Sequence, residues 1–261
     1  MFAAKPAAAI RFPNYTLDFL PPRLALVVFV ETFSETRQMA FDAEKFLNTP
    51  RFALDQLGVL SNVADFLTFS EDNIAHQKAV ALQGVEKDVA DAGLEKPEVF
   101  SYREHLLHNI DFRFDVALPM RVRYAALTAF TSTIEWSMTV LKPSFHVTQP
   151  PKRTALAIHL LTVFAERCDL PLTHQIRYLE FLIWVRNSIM HNAGALKGYK
   201  HEPDIRASIS AYQPNFTISN WHYIGDTVEI KRGALEPLIE SWSEIIRELY
   251  TVATKRKLLL F

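Results

Sequence analysis

The sequence predicts an all-α fold with one small β-hairpin set into it, on three observations. Glycine is scarce, seven residues in 261, and long stretches contain none. A sheet-and-turn architecture needs glycine at its tight turns far more often. Apolar residues recur at helical spacing through most of the chain. Finally, in the run Leu179–Val185 only Glu180 is polar. A helix that is apolar on nearly all sides belongs in the middle of a core.

Composition bounds the rest. Hydrophobic residues at 49% and charged residues at 22% are an ordinary globular balance, ample for a sizeable core. At 261 residues, one large or two small domains are expected. A net charge of −1 gives no sign of a general nucleic-acid binder, so any RNA would need a local basic surface or specific recognition. The single cysteine, Cys168, excludes an internal disulfide framework and fits a reducing cytosol. The longest early apolar run, Leu24 to Val30, is too short to span a bilayer, and Met1–Ala9 lacks the long apolar region of a signal peptide. A cytoplasmic chain without membrane association is expected.

Taken in order, Met1–Pro22 is Ala- and Pro-rich and reads as an extended arm. Arg23–Asn48 reads as a helix, broken by Thr49-Pro50. Ala53–Ala92 has helical spacing, as two helices split near Thr68–Glu71, with Ser70 as an N-cap. Gly93–Pro97 is a turn, and Ser101–Asn109 a short helix. Pro119 marks a helix start. On the helix that follows, Tyr124, Leu127, Ile134, Met138 and Leu141 form an apolar stripe. A second stripe, Thr128, Thr131, Ser132, Glu135 and Thr139, is polar: either a solvated face, or one that lets Glu135 reach a cation on a neighbouring helix. Lys142–Lys152, with three prolines, is a loop; Thr154–Arg167 is a helix. Pro171 precedes or opens the next helix, which Gly194 ends. Trp221–Ile224 and Thr227–Ile230 read as a hairpin turning at Gly225-Asp226. The last helix spans Leu235 to Lys257, with Leu238, Trp242, Ile245 and Leu249 facing inward. A soft boundary near Leu118 divides a helical N-terminal region, 1–118, from a second domain, 119–261. Three roles are open to the first region: sensing a trigger, restraining the site, or enlarging the core.

The apolar run leads directly into Arg186, Asn187 and His191. Ionisable groups on a central helix need partners or line a cleft. At ~100° per residue, Glu180, Trp184, Asn187 and His191 share one side. Asn187 lies four residues before His191, so its amide can hydrogen-bond the imidazole. Arg186 sits ~120–140° from His191 around the wheel. One helix cannot easily close both on a single atom; two copies meeting across a two-fold axis can.

Arg186-Asn187-x-x-x-His191, followed by Asn192-Ala193-Gly194, resembles the signature of HEPN proteins (higher eukaryotes and prokaryotes nucleotide-binding). That motif is an Arg, four to six residues, then a His, often with a polar residue directly after the Arg. The bare spacing also occurs at Arg103…His108, Arg153…His159 and Arg167…His174. Only Arg186…His191 adds the following Asn, the buried helix and the Asn-Ala-Gly exit. The resemblance covers about the last half of the chain. It implies a helical bundle that forms a homodimer and pairs two motifs in a cleft. It further implies metal-independent cleavage of RNA, in toxins or antiviral, abortive-infection effectors, with an antitoxin or sensor protein as a possible partner. Glu135 enters the candidate site on this ground too, because HEPN proteins often carry an acidic or hydroxyl residue on a neighbouring helix.

The chemistry is coherent for RNA. His191 can move protons near neutral pH, and the Arg186 guanidinium can hydrogen-bond two oxygens of a phosphorane. Lys197, Tyr199, Lys200 and His201, in the loop after Gly194, can hold phosphate and stack a base, or simply be an exposed loop. No cofactor and no metal are expected. His201-Glu202-Pro203-Asp204 departs from the His-Glu-x-x-His zinc pattern, Pro203 argues against a helix there, and no second Cys exists for a thiolate site. The alternative from another class is a non-catalytic module that binds a nucleotide or a partner protein in the same cleft.

Overall fold

The computed structural model describes residues 51–147, 154–221 and 224–258. The arm expected over 1–22 and the helix over Arg23–Asn48 lie outside them. The described chain is mostly helical, with one two-stranded antiparallel hairpin. Helices α1 (Arg51–Asp91) and α2 (Lys96–Asp111) lead through a π-helical turn, Phe112–Ala117, into α3 (Leu118–Leu141). Then come α4 (Leu156–Cys168), α5 (Thr173–Asn192) and α6 (Glu202–Ser208), the last closed by a 3₁₀ turn at Ile209–Tyr212. Strands β1 (Phe216–Trp221) and β2 (Gly225–Ile230) precede α7 (Glu236–Lys255).

Proline sets several of these starts. Pro97, Pro203 and Pro237 fall in the first turn of their helices, where a missing N–H costs nothing, whereas Pro119 follows a π-helical turn without a break. The expected exclusion of a helix by Pro203 is therefore corrected: Pro203 opens α6 rather than preventing it. Pro119 also accounts for the π turn. It cannot donate to the carbonyl of Asp115, and its ring crowds that carbonyl. The chain widens instead, and the N–H of Leu118 reaches the carbonyl of Arg113, five residues back.

Helix α1 is continuous where two helices were expected. Thr68–Glu71 contains neither Pro nor Gly, and the inward positions continue from Leu60, Val63 and Leu67 to Glu71 without a phase break. Ser70 is a mid-helix residue, not a cap. The described residues form one compact unit. The division expected at Leu118 falls inside it, where the π turn passes into α3. Ala53, Leu60, Val63 and Leu67 of α1 share one core with α3, α4, α5 and α7.

Helix α3 runs through that core. Leu127, Phe130, Ile134, Met138 and Leu141 are fully buried on it. Helix α5 supplies Leu179, Phe181, Leu182 and Val185, and α7 supplies Trp242, Ile246, Leu249 and Tyr250. The apolar stripe expected on α3 is inward throughout. Its polar companion is mixed: Thr131 is buried, while Ser132 and Thr139 are exposed.

The hairpin lies further toward the N-terminus than expected. Gly225 and Asp226 are not its turn; they pair in β2 with Trp221 and Asn220. This register sets Phe216 opposite Ile230 and Ile218 opposite Val228, so apolar pairs share one face. Tyr124 of α3 ties the hairpin down, its hydroxyl donating to the carbonyl of Val228 at 2.7 Å. The same ring lies against Gly194 just beyond α5. A Cβ at Gly194, whose φ is +85°, would stand 3.0 Å from Tyr124 Cε2.

Two outcomes follow from this packing. Gly194→Ala should destabilise the fold by about 1–3 kcal/mol, from left-handed strain and the clash with Tyr124, read as a lower urea midpoint. Burial pushes the phenols of Tyr124, Tyr178 and Tyr250 up to about 12, from about 10 unfolded. Folded-state pKa values above the unfolded value mean this stabilisation is complete below pH ~10 and is lost as pH rises through ~12. Ultraviolet titration should therefore show a late group of phenols ionising together with alkaline unfolding. All eight tyrosines titrating near pH 10 in a still-folded chain would contradict the packing.

Candidate active site

Helix α5 carries the Arg186…His191 segment, and its buried residues explain its position: Leu179, Phe181, Leu182, Ile183, Val185 and Ser188 all face protein. Arg186 emerges where α5 meets α3. A guanidinium leaving an apolar helix needs a counter-charge. Glu135 of α3 supplies it, accepting a hydrogen bond from an Arg186 terminal nitrogen at 2.6 Å. The Arg186 side chain is 18% exposed and that of Glu135 35%, so the pair sits at the edge of the core, open to solvent on the Glu135 side. The Nε of Arg186 is buried and has no hydrogen-bond partner among the described residues.

His191 is on the last turn of α5 and is exposed. Among the described residues it has no ion pair or side-chain hydrogen bond. The separation of Arg186 from His191 around the helix is thus present in the chain: one faces α3, the other solvent. The hydrogen bond expected between Asn187 and His191 is absent among the described residues. Asn187 instead lies near enough to Tyr199 to influence its hydroxyl. Burial raises the Tyr199 pKa, while hydrogen bonding from Asn187 and the positive charge of Arg186 offset part of that rise.

The loop after α5 is pinned rather than free. Ala193 closes the helix in the left-handed region, with φ at +51°. The Asn192 amide donates to the carbonyls of Ala195 and Lys197, at 2.6 and 3.2 Å. Ala195 forms an isolated bridge with Thr227, and the N–H of Leu196 donates to Asp226 at 2.8 Å. The hairpin therefore holds this loop over α5. Tyr199 and His201 are half-buried: His201 stacks on Trp184, with ring centres 5.4 Å apart, and its Nδ1 lies 2.8 Å from Asp204. Glu180 lies beneath, its carboxyl pushed up by burial and by Asp204, against the opposing pull of His201.

The four loop residues proposed from sequence thus divide. Lys197 and Lys200 are exposed; Tyr199 and His201 pack on the Asn187 and Trp184 side of α5. Asp204 joins that group, and sequence reasoning missed it. Its spacing three residues after His201 on a helix was the available signal, set aside because Pro203 was taken to exclude a helix.

The alternative Arg–His spacings have different surroundings. Arg103 and His108 ride on α2, none of whose residues is buried. Arg167 bonds the carbonyl of Phe145, and His174 starts the next helix. Arg153 lies outside the described residues. Among the described residues no group of three His, Cys, Asp or Glu side chains gathers as a metal site, and no helix is long and apolar enough to cross a membrane. Two surface recesses, of about 330 and 280 Å³, contain neither Arg186 nor His191. No family model, no curated protein and no solved structure matches the chain.

The Arg186–Glu135 pair should be measurable by a double-mutant cycle in urea, with Glu135→Gln and Arg186→Gln. A coupling of about 1 kcal/mol is expected for a half-exposed, well-aligned pair. Strict additivity would show that the contact is not made in solution.

Proposed function

We propose that the chain is a metal-independent endoribonuclease of the HEPN type, acting as a homodimer on RNA, in a toxin or antiviral role. One observation carries the reading: Arg186 is held at the edge of a buried helix by an acid from the neighbouring helix, with His191 free on the same helix's last turn. The exposed apolar side chains Trp136, next to Glu135, and Met190, next to His191, supply a surface for a second copy at these helices.

In that reaction the 2′-hydroxyl attacks the adjacent phosphorus and the bond to the 5′-oxygen breaks. His191 takes the 2′-proton or delivers one to the leaving 5′-oxygen, and the second protomer's copy does the other. The Arg186 guanidinium receives the charge that builds on the non-bridging oxygens. The Tyr199 hydroxyl, half-buried on the Asn187 side of α5, can donate to the same phosphate. Lys197 and Lys200 stand exposed for flanking phosphates.

A second reading keeps the cleft without catalysis, as a binding module for a nucleotide or protein. Its support is the Glu135 carboxylate already occupying Arg186, together with a net charge of −1.

The test is cleavage in EDTA by the full chain. Products ending in a 2′,3′-cyclic phosphate and a 5′-hydroxyl are expected, with substrates that are 2′-deoxy at the cleaved position resisting. Sedimentation should give a dimer at micromolar concentration. His191→Ala should lose ~10²–10⁴ in rate with its fold intact, and Arg186→Lys most of the activity. His108→Ala, His159→Ala and His174→Ala should cleave nearly normally. An inert wild-type dimer would leave the binding reading; a dead His108→Ala beside an active His191→Ala would move the site.

A further inference from the structure

We propose that His201, oriented by Asp204, is a second proton-transfer residue of the site. This rests on the RNA-cleavage reading and changes one assignment in it. The transfer given there to a second His191 falls instead to His201 of the chain whose Arg186 holds the phosphate.

Cleavage needs two proton-transfer groups. The 2′-oxygen bonds to phosphorus while the bond from phosphorus to the 5′-oxygen breaks. One group takes the 2′-hydroxyl proton, and the other gives a proton to the leaving 5′-oxygen. An imidazole that does either is ordinarily held by a third group, which fixes the ring and decides which nitrogen works. His191, exposed on the last turn of α5, has no such group among the described residues. His201 has one: Asp204 lies 2.8 Å from its Nδ1. A carboxylate only accepts, so Nδ1 carries the proton of that bond and Nε2 is left as the working nitrogen. Nε2 makes no hydrogen bond among the described residues and is not sealed from solvent.

The ring is held on several sides. Trp184 of α5 stacks on it, with ring centres 5.4 Å apart and 13° between the planes. The Tyr199 ring stands edge-on to it at 5.8 Å. The backbone is fixed too, since the N–H of Ile205 donates to the His201 carbonyl at 3.0 Å where α6 begins. Glu180 of α5, Asp204 of α6 and Tyr199 of the loop are the ionisable groups that face the imidazole. Tyr199 also lies beside Asn187 and feels the charge of Arg186. From Arg186 through Tyr199 to His201, the neighbours all belong to one chain. A phosphate on Arg186 that accepts from the Tyr199 hydroxyl therefore adjoins His201. The second protomer's His191 then makes the other transfer.

The same stack and ion pair could merely fasten α6 to α5, and His201→Gln separates the two roles. Its amide can still donate to Asp204 and lie on Trp184, but it cannot carry a proton. The measurement is kcat and KM of the full chain against pH, in EDTA, on a mixed-sequence oligoribonucleotide. His201→Gln should lose ~10²–10⁴ in kcat with KM little changed, and one limb of the pH profile should vanish while the other stays. Asp204→Asn, which can hold the wrong tautomer, should lower kcat by about tenfold or more. The Asp204 side chain is 50% exposed, so this second variant keeps the test open if the first fails to fold. Circular dichroism checks both folds. Near-normal cleavage by His201→Gln, with His191→Ala dead, would overturn the proposal and leave the RNA-cleavage reading standing. So would slowed variants that keep both limbs of the pH profile. A wild-type chain inert toward RNA would overturn both.

Discussion

One buried hydroxyl holds α3, the hairpin and the end of α5 together. Tyr124 sits on α3, donates to the backbone of β2 and lies against Gly194 in the turn that ends α5. Three parts of the chain, distant in sequence, are fixed by one side chain. The arrangement constrains each in turn. Gly194 must lack a Cβ, because Tyr124 occupies that space. β2 must run where its Val228 carbonyl meets the phenol, since a buried hydroxyl without a partner is costly. The loop from Ala195 to His201 then follows, because Ala195 and Leu196 are bound to β2. Tyr199 and His201 reach Asn187 and Trp184 only because this chain of contacts places them there.

The second constraint is electrostatic. An arginine on a helix with most of its surface buried must be paired. Glu135 provides the pair from α3, and so fixes Arg186 toward α3. His191 faces elsewhere because a helix cannot turn two residues five apart to the same side. Cation and imidazole on one protomer therefore address different neighbours. On the proposed reading this division makes a second copy necessary: the phosphate held by one arginine has to meet an imidazole that the same helix cannot bring round.

Helical periodicity made most of the fold legible. The inward stripes of α3 and α7, and the wheel separating Arg186 from His191, are consequences of a 3.6-residue repeat and need no tertiary knowledge. The errors have local causes. Ser70 has the chemistry of a cap, but helix α1 buries Leu67 and Glu71 on one side and has no reason to stop between them. Pro203 forbids a helix interior, yet it occupies a first turn. Gly225-Asp226 has turn chemistry, but the apolar pairing of Phe216 with Ile230 outweighs it. Glu135 was reachable from its place in the polar stripe of α3 and from the family resemblance; its distance to Arg186 was not. The environment of Asn187 was illegible for the same reason. A neighbouring imidazole four residues away is visible in sequence, while the Tyr199 hydroxyl arrives through the hairpin.

The unequal exposure of Arg186 and Glu135 bears on how such a site would take up phosphate. A phosphodiester carries a single negative charge, as does Glu135, and offers two oxygens to the guanidinium fork. Exchanging one for the other leaves the charge around Arg186 balanced. The exchange also releases a partner, and the two partners differ in what release costs. Arg186, at 18% exposure, has little water to replace a lost contact. Glu135, at 35%, can be hydrated by a small rotation toward solvent. On the proposed reading the arginine therefore stays and the glutamate gives way. In the free protein Glu135 holds the guanidinium in place, and on the proposed reading phosphate meets a cation that has already lost its side-chain freedom. The carboxylate thus costs some affinity and contributes preorganisation, which is the balance a site needs when its overall charge draws no nucleic acid toward it.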